Sequence, residues 1–193
     1  MTNLFYKEAD VKDGWIIALL RKDPDVYLNL HNCQMFSSSQ AEKWLENLPS
    51  TSRRIVVTTC DTPGSACGLI RIDNIDRANS CCEIGLDILK DHRGKGYAKI
   101  IYKWLLEYLF YQQNFNQVYL EVLETNEIAY KLYQKLGFRE DGRLRQRVFR
   151  NGKYIDSIYM SLLRSEYNEI KALYDNTAVS FDVEMAKFYH ETD

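Results

Sequence analysis

The stretch Ile84-Gly85-Leu86-Asp87-Ile88-Leu89-Lys90-Asp91-His92-Arg93-Gly94-Lys95-Gly96-Tyr97-Ala98 sets glycines where an extended segment turns into a helical one. The first N–H groups of a helix have no partner within it, and the helix dipole adds partial positive charge there. Such a turn can hold a diphosphate through backbone alone. Glycine lets the backbone come close to the ligand, and Arg93, Lys95 and Lys99 add charge. A glycine turn followed by a basic helix start is the plainer alternative, since short glycine motifs recur by chance.

A second block follows at Leu120-Glu121-Val122-Leu123-Glu124-Thr125-Asn126 and continues to Leu136-Gly137-Phe138. It reads as a strand, then Asn126, then Ala129 three residues on, then Tyr133 four beyond that. The first block has an Arg, two residues, a Gly, one residue and an Ala, met by Arg93, Gly96 and Ala98. Together the two blocks resemble the GNAT superfamily of N-acetyltransferases, and the likeness extends in less detail from about Asn3 to Arg164. The resemblance implies an α/β (α+β) fold: a central mixed, splayed sheet of about seven strands flanked by helices. It implies acetyl-CoA as co-substrate and no metal. Backbone groups around Leu86, Asp87 and Ile88 would pair with the pantetheine arm as an added strand does. Arg93, Gly94, Lys95, Gly96, Tyr97, Ala98 and Lys99 would hold the pyrophosphate. An N–H near Ile88 would polarise the thioester carbonyl, and the amine would attack directly.

Tyr133 is the expected general acid. A phenol with a reference pKa of about 10 stays protonated at neutral pH and can supply a proton to a leaving thiolate. A core tyrosine beside the stripe of Ala129, Leu132 and Leu136 is the alternative. The resemblance gives Asn126 a hydrogen bond to the cofactor, compatible with an ordinary N-cap. The base is open between Glu83, ten residues before Arg93, and Glu121 in the Leu120-Glu121-Val122 strand, with a water chain as the third choice. The resemblance sets His31 in a region that usually contacts the acceptor, with His92 in the loop and His190 in the tail, and each reads as a surface residue rather than a catalyst. The arginines from Arg139 to Arg150 read as a solvated strand face, with an acidic acceptor as the other reading.

The acceptor is read as a small-molecule primary amine, with a nucleotide-linked amino sugar preferred. Leu20-Arg21-Lys22-Asp23-Pro24 and Trp44-Leu45 resemble that branch, and Gln34–Gln40 lacks the acidic residues a polyamine site should carry. A spermidine-type polyamine, a protein N-terminus, and a non-catalytic acetyl-CoA sensor or assembly module are the alternatives.

Positioning these groups requires a mixed sheet. Strands are expected at Asn3–Lys7, Arg54–Thr59, Ala66–Ile75, Cys82–Leu89, Gln117–Leu123, Phe138–Phe149 and Tyr154–Leu162. Helices are expected at Val11–Leu20, from Ser38 or Ser39 to about Leu48, and at Tyr97–Tyr111, Glu127–Leu136 and Ser165–Tyr174. Arg21–Ser37 reads as irregular. Asp61-Thr62-Pro63-Gly64 and Asn151-Gly152 mark hairpins, and the weak alternation in Cys82–Leu89 suggests burial on both faces. The domain is expected to run from residue 1 to 164, with 165–193 as a helical extension. Its aromatics Phe181, Phe188 and Tyr189 leave a homodimer open.

The chain of 193 residues is 46% apolar, enough for one sizeable core. A net charge of −2 gives no global field for nucleic acid. Five cysteines without a CxxC argue against zinc or a disulfide framework. No signal peptide or membrane-spanning run is read, so a cytoplasmic protein is expected.

Overall fold

The computed structural model describes residues 4–32, 34–59 and 66–175, the last four as backbone only. Cys33, Cys60, the Asp61–Gly64 turn and the tail with Phe181, Phe188, Tyr189 and His190 lie outside the described residues. In chain order the elements are β1 (Leu4–Glu8), α1 (Gly14–Lys22), α2 (Pro24–Tyr27), α3 (Ser38–Glu46), β2 (Arg53–Thr59), β3 (Ala66–Asp76) and β4 (Cys81–Ile88). They continue as α4 (Tyr97–Glu107), β5 (Gln117–Leu123), α5 (Glu127–Leu136), β6 (Arg139–Arg150), β7 (Lys153–Leu163) and α6 (Arg164–Asp175). Among the described residues, seven strands form one sheet in the order β1-β2-β3-β4-β5-β7-β6. Neighbours are antiparallel except β4 and β5, which are parallel and joined through α4.

Local chemistry explains most boundaries. Asp23 caps α2 by accepting from the Asp25 N–H at 3.0 Å, and Pro24 occupies the first helical position. That cap–proline signal was present in Arg21–Ser37, which the sequence reading leaves irregular. Ser37, one residue before the expected caps, closes a capping box with Gln40 at the start of α3. The regular part of α4 ends at Glu107, and the chain continues to Gln112 in a wider turn closed by the Gln113 N–H on the Tyr108 carbonyl at 2.9 Å.

The sheet carries two apolar layers. On one face α4 and α5 pack Ile101, Leu105 and Leu136 onto Ile70, Val118, Leu120 and Met160. On the other, α1 and α3 pack Ile16, Leu20 and Ala41 onto Val56 and Leu69. β4 alternates more than its sequence suggests. Cys82 and Ile84 are buried in the first layer with Leu86 and Ile88 packed against it. Glu83 and Asp87 therefore point to the α1–α3 side. α6 continues directly from β7: Tyr167 is buried in the first layer, and its hydroxyl donates to Glu107 at 2.9 Å.

Candidate active site

The parallel pair at the centre of the sheet is short. β4 and β5 are in register only at Cys81↔Gln117, Cys82↔Val118 and Glu83↔Tyr119. Beyond Glu83, β4 stays with β3 as far as Gly68↔Ile88, and β5 stays with β7 as far as Leu123↔Ser157. Each strand follows its antiparallel partner, so the facing edges of Ile84–Ile88 and Leu120–Leu123 part company. This V-shaped opening exposes a strand edge at Leu86, Asp87 and Ile88, where an extended ligand can add as a strand.

The loop from Leu89 to Gly96 leads from that opening into α4. Gly94 and Gly96 have φ of +73° and +81°, and no atom lies within 4 Å of where a Cβ would stand at either. The left-handed backbone requires glycine, and the space beside it is available to a ligand. Gly96 caps α4 without a side-chain bond, so the N–H groups of the first helical turn at Tyr97 and Ala98 face the loop. Lys95 and Lys99 are exposed at this end, whereas Tyr97 is buried.

The Arg93 side chain is bonded within the chain. Its Nε donates to the Ile88 carbonyl at 2.9 Å, and its guanidinium reaches Asp23 at 2.6 Å and Asp25 at 3.0 Å. The side chain ties the end of β4 to the start of α2. Burial tends to raise the Asp23 carboxyl, but the Arg93 bond and charge, with the Asp25 N–H, hold it below its ordinary value. Beside the backbone dipoles at the start of α4, Lys95 and Lys99 are the exposed positive charges at this turn.

Tyr133 on α5 packs against the first apolar layer, beside Tyr102 and Phe138. α5 is capped by Asn126, whose Oδ1 accepts from the Ala129 N–H at 3.2 Å, and it ends at Gly137. The Tyr133 hydroxyl lies 3.2 Å from that of Tyr102 on α4, and the rings meet edge to face with centroids 5.6 Å apart. Burial raises the Tyr133 phenol above its ordinary value, against the opposing influence of Tyr102 and Arg71. It therefore holds its proton at neutral pH. Tyr102 is missed by the sequence reading because a tyrosine on the apolar face of a helix carries no local mark.

The two carboxylates singled out from sequence come together. Glu83 pairs across β4–β5 with Tyr119, and Glu121 is two residues further on the same face. Glu83 accepts from the Asn74 Nδ2 at 2.7 Å. Burial raises its carboxyl above the ordinary value; Asn74 opposes this, Asp73 and Glu121 add to it, and Arg71 opposes it. Glu121 accepts from the Ser157 hydroxyl at 3.0 Å and lies 3.2 Å from His31 Nε2. His31, read from sequence as a surface residue, is thus part of the cleft. Arg150 fixes its loop by donating to the carbonyls of Leu30 and His31 at 2.6 and 3.1 Å. So Arg150 is not simply part of a solvated strand face.

The remaining groups narrow the chemistry. Burial pushes the Cys67 thiol up to about 11 and the Cys82 thiol up to about 12, so neither supplies a thiolate nucleophile. Among the described residues no group of His, Cys, Asp and Glu is placed to hold a metal ion, and no helix is long and apolar enough to cross a membrane.

Residues 24–138 match the Acetyltransferase (GNAT) family. A protein named as a ribosomal N-acetyltransferase of Bacillus subtilis is 35% identical over 104 residues, 54% of this chain and 57% of that protein. The spermidine N(1)-acetyltransferase of Vibrio cholerae is 34% identical over 118 residues, 61% of this chain and 67% of that protein. The chain thus matches little more than half the length of the Bacillus protein. The crystal structure of a Vibrio cholerae spermidine N-acetyltransferase with CoA and spermine superposes with a TM-score of 0.79 at 27% identity, covering 86% of this chain and 98% of that one.

Proposed function

The chain belongs to the acetyltransferase (GNAT) family, and from that premise we propose that it transfers the acetyl group of acetyl-CoA to a primary amine of a spermidine-type polyamine. Acetyl-CoA, when bound, supplies an acyl group activated as a thioester. The chain's own groups fit it: the diverging edge of β4 takes an extended arm, and the Gly94–Gly96 turn leaves room for a diphosphate at the start of α4. Tyr133 Oη holds a proton for a leaving sulfur.

One observation carries the acceptor. Glu83 and Glu121 are bonded only to an amide, a hydroxyl and an imidazole, and among the described residues neither is paired with a lysine or arginine. Asp73 and Asp87 nearby are matched by Arg54 and Arg71 at 2.9 and 3.0 Å. The acceptor side of the opening therefore offers two carboxylates that have no direct lysine or arginine partner among the described residues, although Arg71, Arg147 and Arg150 act nearby, and such carboxylates suit an ammonium. The resemblance to spermidine acetyltransferases supports the polyamine over the amino sugar preferred from sequence. An amine on an anionic carrier, such as a nucleotide-linked sugar, is the second reading, favoured by the positive charge of Arg147 and Arg150 beside His31.

The test is thiol release with acetyl-CoA and one acceptor at a time: spermidine, a nucleotide-linked amino sugar, or a peptide with a free N-terminus. Spermidine is expected to turn over fastest, with KM rising as salt screens the two glutamates. Turnover of the sugar alone would replace this reading with the second. Gly96→Val separately tests the donor side. It puts a β-branched residue at φ +81° and fills the open space beside the turn. The strain alone is about 1–3 kcal/mol, so acetyl-CoA affinity by calorimetry is expected to fall about tenfold or more.

A further inference from the structure

His31, Ser157 and Glu121 form a cluster from three distant parts of the chain. His31 Nε2 lies 2.7 Å from Ser157 Oγ, the Ser157 hydroxyl donates to Glu121 Oε2 at 3.0 Å, and Nε2 itself lies 3.2 Å from that oxygen. Ser157 is fully buried. Its single proton is spent on Glu121, so the contact with His31 requires the ring to donate. Neutral His31 therefore carries its hydrogen on Nε2 and its lone pair on Nδ1. Among the described residues Nδ1 has no protein partner, and a third of the side chain (33%) is exposed.

We propose that His31 Nδ1 takes the proton from the acceptor's ammonium, with Glu121 holding the imidazolium that results. The proposal rests on reading this cleft as an amine site. In the step, one N–H bond of the ammonium breaks and one forms at Nδ1. The amine nitrogen keeps the electron pair and becomes the nucleophile. The ring gains one positive charge, which faces Glu121 through Nε2, and the proton later leaves to solvent from the exposed part of the ring. The surroundings keep the ring neutral until then. Burial lowers its pKa; Glu121 on β5 opposes this, while Arg147 and Arg150 on β6 and Arg71 on β3 lower it further. Ser157 on β7 is uncharged and only orients the ring. Glu83 is left to hold the ammonium.

His31→Gln tests the proposal, because a glutamine amide can donate to Ser157 from the ε position but cannot take a proton. Near pH 7, kcat is expected to fall about 100-fold with acceptor KM little changed. The wild-type rate should drop on acidification through a pKa below the ordinary histidine range of about 6.5, and that limb should vanish in the variant. The defect should shrink towards pH 10, where the free amine no longer needs a base. An unchanged kcat and pH profile would overturn the proposal. A readout without turnover is the ¹⁵N spectrum of the His31 ring in CoA-saturated protein. The Nε2–H tautomer at pH 7.5 supports it; an Nδ1–H tautomer or a charged ring rejects it. Absence of wild-type turnover with every amine would instead count against the proposed function.

Discussion

Tyr133→Phe is expected to lower kcat about 100-fold while acetyl-CoA affinity by calorimetry stays near wild type. The substitution removes one oxygen and keeps the ring in its edge-to-face contact with Tyr102. The lost oxygen is the one that burial keeps protonated. Without it a leaving thiolate has no positioned proton donor and must take one from water. The change also removes the neighbour of the Tyr102 hydroxyl, and Tyr102 is only 1% exposed. An unpaired buried hydroxyl costs about 1–3 kcal/mol, so some fall in melting temperature should accompany the loss of rate. Tyr102→Phe separates the two effects. It breaks the same bond but leaves Tyr133 its proton, so its kcat should stay within a few-fold of wild type. Equal turnover by Tyr133→Phe and wild type would remove Tyr133 from the chemistry.

The second large effect is on stability. Gly137 ends α5 at φ +98°, and a Cβ there would stand 2.2 Å from Ile170 Cδ1 on α6 and 3.5 Å from Leu162 Cδ1 on β7. Gly137→Val therefore meets two penalties at once. A β-branched residue in the left-handed region costs about 1–3 kcal/mol. The colliding atom is the free end of the half-buried Ile170 side chain, which can swing aside, so the collision adds less and the expected loss in denaturant unfolding is about 1–3 kcal/mol or somewhat more. Gly137→Ala combined with Ile170→Ala separates them, since it relieves the collision and keeps the backbone strain. Faster amide exchange confined to 164–171 in the valine variant would show that α6 lifts before the sheet fails. An unchanged unfolding midpoint would mean that α6 does not press on this turn in solution.

Much of this architecture was legible in the chain because the signals are short-range. Asn126 and Gly137 mark the two ends of α5 by capping chemistry, and both stand where expected. Ile101, Trp104, Leu105 and Tyr108 were read as one face of α4, and all four are buried. The Asn151-Gly152 turn has φ of +49° and +77°, and it joins β6 to β7 as read. The readings that changed concern polar side chains with remote partners. For Arg93, read at the cofactor turn, the structure adds bonds to Asp23 and Asp25, about seventy positions earlier. His31 was read as a surface residue within a region that the resemblance sets near the acceptor, and its bonds to Ser157 and Glu121 come from strands far along the chain.

The sequence by itself determined the elements of the proposed donor side: the turn at Gly94–Gly96, the helix start behind it and the spacing to Tyr133. Turn geometry, capping and helical period depend on residues a few positions apart, so they survive reading one segment at a time. On the proposed acceptor side the sequence offered Glu83 and Glu121, and tertiary structure decided what stands beside them. β7 lies between β5 and β6 in the sheet, which brings Ser157 beside Glu121 and, with Arg150 holding the loop, sets His31 126 positions away against both. A side chain's polar partner depends on which strands become neighbours, and strand order is a property of the whole sheet.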